Sequence, residues 1–384
     1  MSKFEVKVRR VSNVEPHPKA DRLEFALIEG YRVVVKSGQV TPNDLVVYLP
    51  EAALLPEFVL RNVGLWDETT KKGLCAGDDG NRVKVVVLRG FISQGIAMPL
   101  AWLSDHPLGP GWFLQDADMG LWPVEEGDDV AYTLGITKHV PVVPVELAGA
   151  VIPVGRHLLP DFDIEDIKKY PGILQEGEQV FITEKLHGIL TGAVLLPAVD
   201  AIDGEQFFVF GKGIGRDGLA FIDDEANCNN VYLKAAHKWQ LKKKLSELAS
   251  RLGVTEVPVF IIGETVGMGV QDLGYGMKPD YRVFAMGTGY RGRESYLSYL
   301  TALEHAEALG LKWVPELYRG PFSSKVLNKV ISGKETLSGQ SLHIREGGVI
   351  EPETPRTAPE LGRVILKAIS PDYLKRPGST TEYQ

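Results

Sequence analysis

Between Phe4 and Leu103 the hydrophobic positions fall into short β-branched runs: Phe4 to Val11, Arg22 to Ile28, Tyr31 to Val35, Leu45 to Leu49 and Val83 to Leu88. Each run is strand-sized, and Pro16, Pro18, Gly30, Pro42 and Gly90 punctuate them, so the spacing predicts a small antiparallel barrel. Ser104 to Gly127 is rich in Gly, Pro and Asp and reads as a long surface excursion. The proline-punctuated GITKHVPVVPVELAG, Gly135 to Gly149, has the fixed φ values of an extended connector.

Beyond Val151 the pattern changes to a mixture of strands and helices. Phe207 to Phe210, Val257 to Ile262 and Arg282 to Ala285 read as buried strands, and Tyr232 to Leu252 and Tyr296 to Leu309 as amphipathic helices. Trp239, Leu245, Leu248 and Leu252 fall at helical spacing, and Lys234, Lys238 and Lys242 read as a solvated helix surface. The expected organisation is a two-domain α+β protein: a barrel over 1–134, a linker over 135–155 and a second domain over 156–384. That second domain is built of antiparallel sheets with flanking helices.

Composition narrows the function. A 384-residue chain exceeds most single cores, and no apolar run approaches the roughly 20 residues that a membrane helix needs. The opening MSKFEVKVRR runs into an alternating pattern instead of a signal-peptide core, so a cytoplasmic location is expected, nucleoplasmic in a eukaryote. Cys75 and Cys228 lack metal or disulfide spacing and read as ordinary buried or half-buried thiols. The net charge of −8 argues against coating nucleic acid by bulk electrostatics, so any such surface must be local.

The most informative stretch is QVFITEKLHGIL, Gln179 to Leu190, where an apolar strand runs into Glu184 and Lys185, then His187 and Gly188. Desolvation at a strand end can lower a lysine pKa and make its amine a nucleophile, and Gly188 lets backbone approach a ligand closely. Alone, K-x-H-G is a weak pattern. Its ordered company strengthens it. FGKGIGRDG, Phe210 to Gly218, is a glycine-rich loop offering Lys212 and Arg216 to phosphates. FIIGETVG ends a strand in Glu264, YRVFAMG carries Phe284, IREGGVIEP sets Glu346 before two glycines, and GRVILKAISPDYL delivers Lys367. Carboxylates and lysines delivered by successive strands suit nucleotidyl transfer, because the phosphorus centre needs its charge neutralised by lysine and a divalent metal on hard oxygen ligands.

That ordered set, from Glu176 to Leu374, resembles the covalent nucleotidyltransferase superfamily of ligases and capping enzymes. The resemblance implies that Lys185 is the adenylated lysine and that Lys367 holds the α-phosphate. It places His187 where a polar residue contacts ribose, Glu264 on ribose or metal, Phe284 on adenine and Glu346 on metal. Glu184, Gly188, Lys212 and Arg216 complete the nucleotide site. Leu190 stands where DNA ligases carry arginine, and the last strand holds one lysine instead of a K-x-K pair. Only ten residues follow Leu374, so the accessory domain is expected in front. Val14 to Gly30 and Val85 to Leu100 look like the OB folds of tRNA-binding modules, and an OB domain joined through L-G-I-T-K to T-E-K-L-H-G resembles the Deinococcus/Naegleria-type RNA ligases.

This family resemblance implies an ATP-dependent enzyme using Mg2+ or Mn2+ to seal 3′-OH/5′-phosphate nicks in RNA-containing duplexes, with RNA on the 3′-OH side; a monomer is expected. Lys19, Arg22, Arg89 and Gln94 are the candidate nucleic-acid contacts. Two other readings stay open: a non-catalytic RNA-binding protein, and a GTP-using guanylyltransferase.

Overall fold

The structure is a computed structural model that describes residues 4–103, 113–116, 120–139 and 150–376. These residues form two compact units, one within 2–141 and 167–171, the other within 142–166 and 172–384.

In the first unit, β1 (Val8–Pro16), β2 (Leu23–Ile28), β3 (Tyr31–Lys36) and β4 (Leu45–Leu49) are followed by the hairpin of β5 (Val86–Leu88) and β6 (Phe91–Ser93), then β7 (Ile96–Pro99). The sheet order is β7-β4-β1-β2-β3, all antiparallel. Gln94 N–H donates to the Arg32 carbonyl at 3.0 Å and Val34 N–H to Ser93 Oγ at 2.9 Å, which brings the sheet's two ends together and nearly closes the barrel. β3 shows the cause in its pattern: Tyr31, Val33 and Val35 face inward, whereas Arg32 and Lys36 are exposed. The first strand begins at Val8, later than Phe4: the Val6 N–H donates to Asp129 Oδ1 at 2.9 Å and Lys7 bridges to Asp129.

Part of the expected excursion after Ser104 is a hairpin, Phe113–Asp116 against Gly120–Pro123. Its remainder over 104–112 and 117–119, and the proline-rich connector over 140–149, lie outside the described residues.

The second unit contains two sheets. The seven-stranded sheet has the order β8 (Val151–Pro153), β13 (Leu219–Phe221), β12 (Phe207–Gly211), β11 (Ile189–Leu195), β14 (Val259–Val266), β15 (Asp280–Thr288) and β16 (Ser295–Tyr296). The five-stranded sheet runs β9 (Glu165–Asp166), β19 (Leu366–Ile369), β18 (Gly347–Pro352), β10 (Gln179–Lys185) and β17 (Glu316–Pro321). Its β9–β19 pair is parallel, a departure from the all-antiparallel expectation. Phe208, Phe260, Ile262 and Met286 of the large sheet share a core with Leu241, Leu245, Leu248, Ala302 and Ala306 of its flanking helices.

The helix expected over Tyr232 to Leu252 is two helices, Val231–Lys238 and Leu241–Leu252, broken at Gln240, whose φ of 51° is left-handed. The break places Trp239 between the ammonium groups of Lys244 and Lys312, 5.2 and 5.4 Å from its ring, while its indole N–H donates to Asp280 at 3.1 Å. Lys238 also pairs with Asp280 at 3.0 Å, so part of the lysine face is tied to the fold. Cys75 is half-buried, and Cys228 is exposed, contrary to its expected burial; both are free thiols.

Candidate active site

The chain leaves one sheet and enters the other immediately after Lys185. Strand β10 ends at Lys185, β11 begins at Ile189, and residues 186–188 make the crossing. Gly188 permits it, because a Cβ there would collide with the Thr265 carbonyl of β14. A cleft opens beside this crossing. It is lined by Thr183, Glu184 and Lys185 of β10, by Leu190 of β11, and by Glu264 of β14, Phe284 of β15 and Glu351 of β18.

Register brings the charges together. Lys185 faces Gly347 across β10 and β18, and Glu184 faces Gly348. A side chain at Gly347 would strike the Ala368 carbonyl, so only glycine allows β18 to lie this close to β19. Glu346, directly before β18, is thereby set beside Lys185, and its Oε1 pairs with the Lys185 ammonium. The lysine side chain is 14% exposed and the carboxylate 4%, so the amine stands in a shielded cleft and not in open solvent.

Each neighbouring group responds to burial and charge. Burial would raise Glu346, but Lys185 and His187 outweigh it and hold the carboxyl below its ordinary range. Burial pushes Glu264 up to about 8, with Lys185 opposing and Glu346 reinforcing the rise. Burial also lowers the Lys212 ammonium, opposed by Asp163 at 3.1 Å and assisted by the charge of Lys367. Burial raises Glu184, partly offset by hydrogen bonds from Thr336.

Of the residues singled out from sequence, Glu184, Lys185, His187, Gly188, Lys212, Glu264, Phe284 and Glu346 all line this cleft. The carboxylate of Glu184 accepts from the Thr336 N–H and hydroxyl, and Arg345 stands 3.8 Å away. Both ring nitrogens of His187 meet protein groups: Nε2 meets Asp272 at 2.6 Å and Nδ1 the Tyr373 hydroxyl at 2.8 Å. Lys367, in β19 opposite Val349 of β18, is not among the residues that line the cleft. Arg216 is not among the cleft-lining residues; its carbonyl accepts from Arg291 at 3.1 Å. The expected glycine-rich loop is instead a short helical turn, Lys212–Arg216, in which Gly215 packs on the Phe210 ring where any Cβ would collide at 2.5 Å.

Sequence reasoning missed Phe162, Asp163, Gln271, Trp313 and Tyr373, all on the cleft wall. Phe162 packs on Phe284 with ring centroids 4.8 Å apart. The one available signal was GVQDLGYG, a polar, glycine-punctuated stretch between two motif strands.

In the barrel unit, Lys19, Arg22 and Arg89 are exposed. Arg89 and Gly90 have φ of 51° and 88° and form the two-residue turn between β5 and β6, as type I′ geometry requires. Lys19 stands 5.8 Å above the Phe91 ring. The Gln94 side chain is held differently, accepting from Lys168 at 2.6 Å.

An RNA ligase family model matches residues 178–369, half of the chain, and an OB-fold domain model matches residues 5–100. The chain belongs to the RNA ligase family. No curated protein sequence matches this ligase. Solved structures of Naegleria gruberi RNA ligase are similar to it throughout. The structure with PPi is 20% identical with a TM-score of 0.72, covering 97% of this chain and 98% of that one. A variant with ATP and Mn is 19% identical with the same TM-score and coverage, and a variant with AMP and Mn is 20% identical at 0.72, covering 96% and 97%. At these identities the likeness establishes a shared fold: an OB domain followed by a ligase domain.

Among the described residues no group of three or more His, Cys, Asp or Glu forms a metal cage. Magnesium is typically held by one or two carboxylates together with substrate phosphates, and Glu264 and Glu346 on one cleft supply that donor set.

The raised Glu264 has a consequence for stability. Folded protein keeps a proton that the unfolded chain loses above its ordinary value of 4.5, so stability is greatest below that pH and falls as pH rises to about 8. Glu264→Gln is expected to remove this fall and to gain about 1–3 kcal/mol over wild type at pH 9. Urea melts at pH 5 and pH 9 measure it; parallel pH dependence in the two proteins would contradict the assignment.

Proposed function

We propose that this RNA ligase is ATP-dependent and seals 3′-OH/5′-phosphate nicks in duplex nucleic acid carrying RNA on the 3′-OH side, through a lysyl-AMP on Lys185. One observation carries the reading: the Lys185 amine sits in a shielded cleft against Glu346, with Glu264 and Lys212 on the same walls.

In the first step Lys185 Nζ attacks the α-phosphorus of ATP. A P–N bond forms, and the P–O bond to pyrophosphate breaks. The amine must shed a proton to attack, and Glu346 Oε1 is the acceptor in contact with it. Lys212 and Lys367 offset the charge that develops on the phosphoryl oxygens. Phe284 stacks on the base; to do so it exchanges its contact with Phe162 for the adenine face. Bound at Glu264 and Glu346, Mg2+ or Mn2+ would supply further neutralisation of the phosphate charge. The adenylate then moves to a 5′-phosphate, and a 3′-hydroxyl displaces AMP to close the strand. The N. gruberi structures with ATP, AMP, PPi and Mn support this choice of nucleotide and metal. The order of OB domain, linker and T-E-K-L-H-G supports the RNA polarity.

The test is joining of a nicked duplex in which each side of the break is RNA or DNA in turn. Joining is expected only where the 3′-OH strand is RNA; equal sealing of an all-DNA nick would overturn that polarity. Lysine labelling by GTP in preference to ATP would overturn the nucleotide.

A further inference from the structure

Residues 267–279 join β14 to β15, and three of their side chains reach back over the turn that follows Lys185. Gln271 Nε2 donates to the Gly188 carbonyl, and the His187 N–H donates to Tyr275 Oη at 2.7 Å. The third, Asp272, has its Oδ1 2.6 Å from His187 Nε2. A carboxylate only accepts, so Nε2 is the donor of this bond. The other edge of the ring then faces the reacting groups: Nδ1 lies 2.8 Å from the Tyr373 hydroxyl and 3.4 Å from Glu346 Oε2.

Glu346 is therefore met at both oxygens, Oε1 by the Lys185 ammonium and Oε2 by His187 Nδ1, which at 3.4 Å holds the carboxylate when that nitrogen carries a proton as well as Nε2. The His187 ring is in turn held by Asp272. Arg376 steadies the carboxylate from its far side, with Nη2 3.1 Å from Asp272 Oδ2 and its guanidinium 4.1 Å from the Tyr373 ring. Tyr275 and Gln271 already satisfy backbone groups of the crossing, which buried backbone requires. The Asp272–His187 bond is different in kind. It orients a side chain whose opposite edge touches the partner of the nucleophile.

We propose that Asp272 is a positioning residue for nucleotide transfer to Lys185: it locks the His187 ring, and the ring keeps Glu346 aligned with the lysine amine. The inference rests on Lys185 being the nucleophile. Without the lock the imidazole turns, Glu346 loses its second contact, and its other oxygen swings off the amine. A misplacement near 1 Å at a reacting group costs on the order of 10²-fold.

Asp272 is 54% exposed, so its replacement leaves the core intact. Single-turnover formation of lysyl-AMP is measured with wild type, Asp272→Ala, Asp272→Asn, His187→Ala and the Asp272→Ala/His187→Ala double variant. Asp272→Ala is expected to slow the step by about 10–100-fold, the loss that a misplacement of Glu346 by up to about 1 Å produces. Asp272→Asn retains an accepting oxygen and is expected within about 3-fold of wild type. Binding of a non-hydrolysable ATP analogue and the melting temperature are expected to stay at wild-type values in Asp272→Ala. If Asp272 acts through His187, the double variant is no slower than His187→Ala alone. Multiplicative losses in the double variant, or an Asp272→Ala rate equal to wild type, would overturn the proposal. Should Asp272→Ala melt early, Asp272→Ser runs through the same cycle and is judged in the same way. Absence of any lysyl-AMP in wild type overturns the ligase mechanism itself, an outcome distinct from either of these.

Discussion

Lys185→Arg is expected to lose covalent AMP labelling by at least about 10⁴-fold while keeping the fold, and Lys185→Ala to lose it equally. The arginine variant is the stronger test. Its guanidinium can still pair with Glu346, but a group that holds its proton above pH 12 offers no lone pair to phosphorus. Alanine removes the half-buried cation as well, leaving the buried Glu346 carboxylate without its ammonium partner and confounding chemistry with stability. Labelling with α-phosphate-labelled ATP, followed by denaturing electrophoresis, measures both variants. Wild-type labelling in the arginine variant would place the nucleophile elsewhere. Sealing of a strand whose 5′ end already carries adenylate is expected to survive better than labelling, because that reaction bypasses the lysine.

Glu346→Gln is expected to show the second largest effect. The amide fills the same volume but neither accepts the lysine proton nor neutralises the ammonium. Lysyl-AMP formation should fall by about 10²–10⁴-fold, the range for losing a positioned proton acceptor. Stability should fall as well, by up to about 3 kcal/mol, because a 14%-exposed ammonium is left without its carboxylate. Glu346→Asp separates the two effects. It restores the charge but withdraws it from the amine by one methylene, so the expected outcome is recovered stability with labelling still depressed. Chemical denaturation beside single-turnover labelling measures both; labelling by Glu346→Gln at the wild-type rate would remove Glu346 from the chemistry.

Much of the site was readable because its residues close or interrupt apolar runs; Glu264, expected at a strand end, is followed in the same strand by Thr265 and Val266. Thr183, Glu184 and Lys185 close the β10 run, Glu264 interrupts the β14 run, and Phe284 stands within β15. A strand's alternation is local, so it survives in the sequence without any knowledge of partners. What failed to show was conformational detail that neighbours impose. Gln240 breaks one expected helix into two, and the Lys212 turn winds into a helix instead of a loop. Neither event changes the hydrophobic pattern. Phe162, Asp163 and Asp272 come from segments without periodicity, and they acquire meaning only from what they touch.

By itself, then, the sequence determined the two-domain α+β class, the main strand runs of both domains and the order of the charged residues along them. Tertiary structure alone decided which of those charges meet. Lys185 and Glu346 are 161 positions apart, and their contact depends on β10 pairing with β18 in a register that glycines 347 and 348 make possible. His187 and Asp272 are 85 apart and meet because a loop folds back over the crossing between sheets. Local alternation follows from backbone geometry that each residue carries with it, whereas register and loop placement follow from packing between distant segments, which no short stretch of chain encodes.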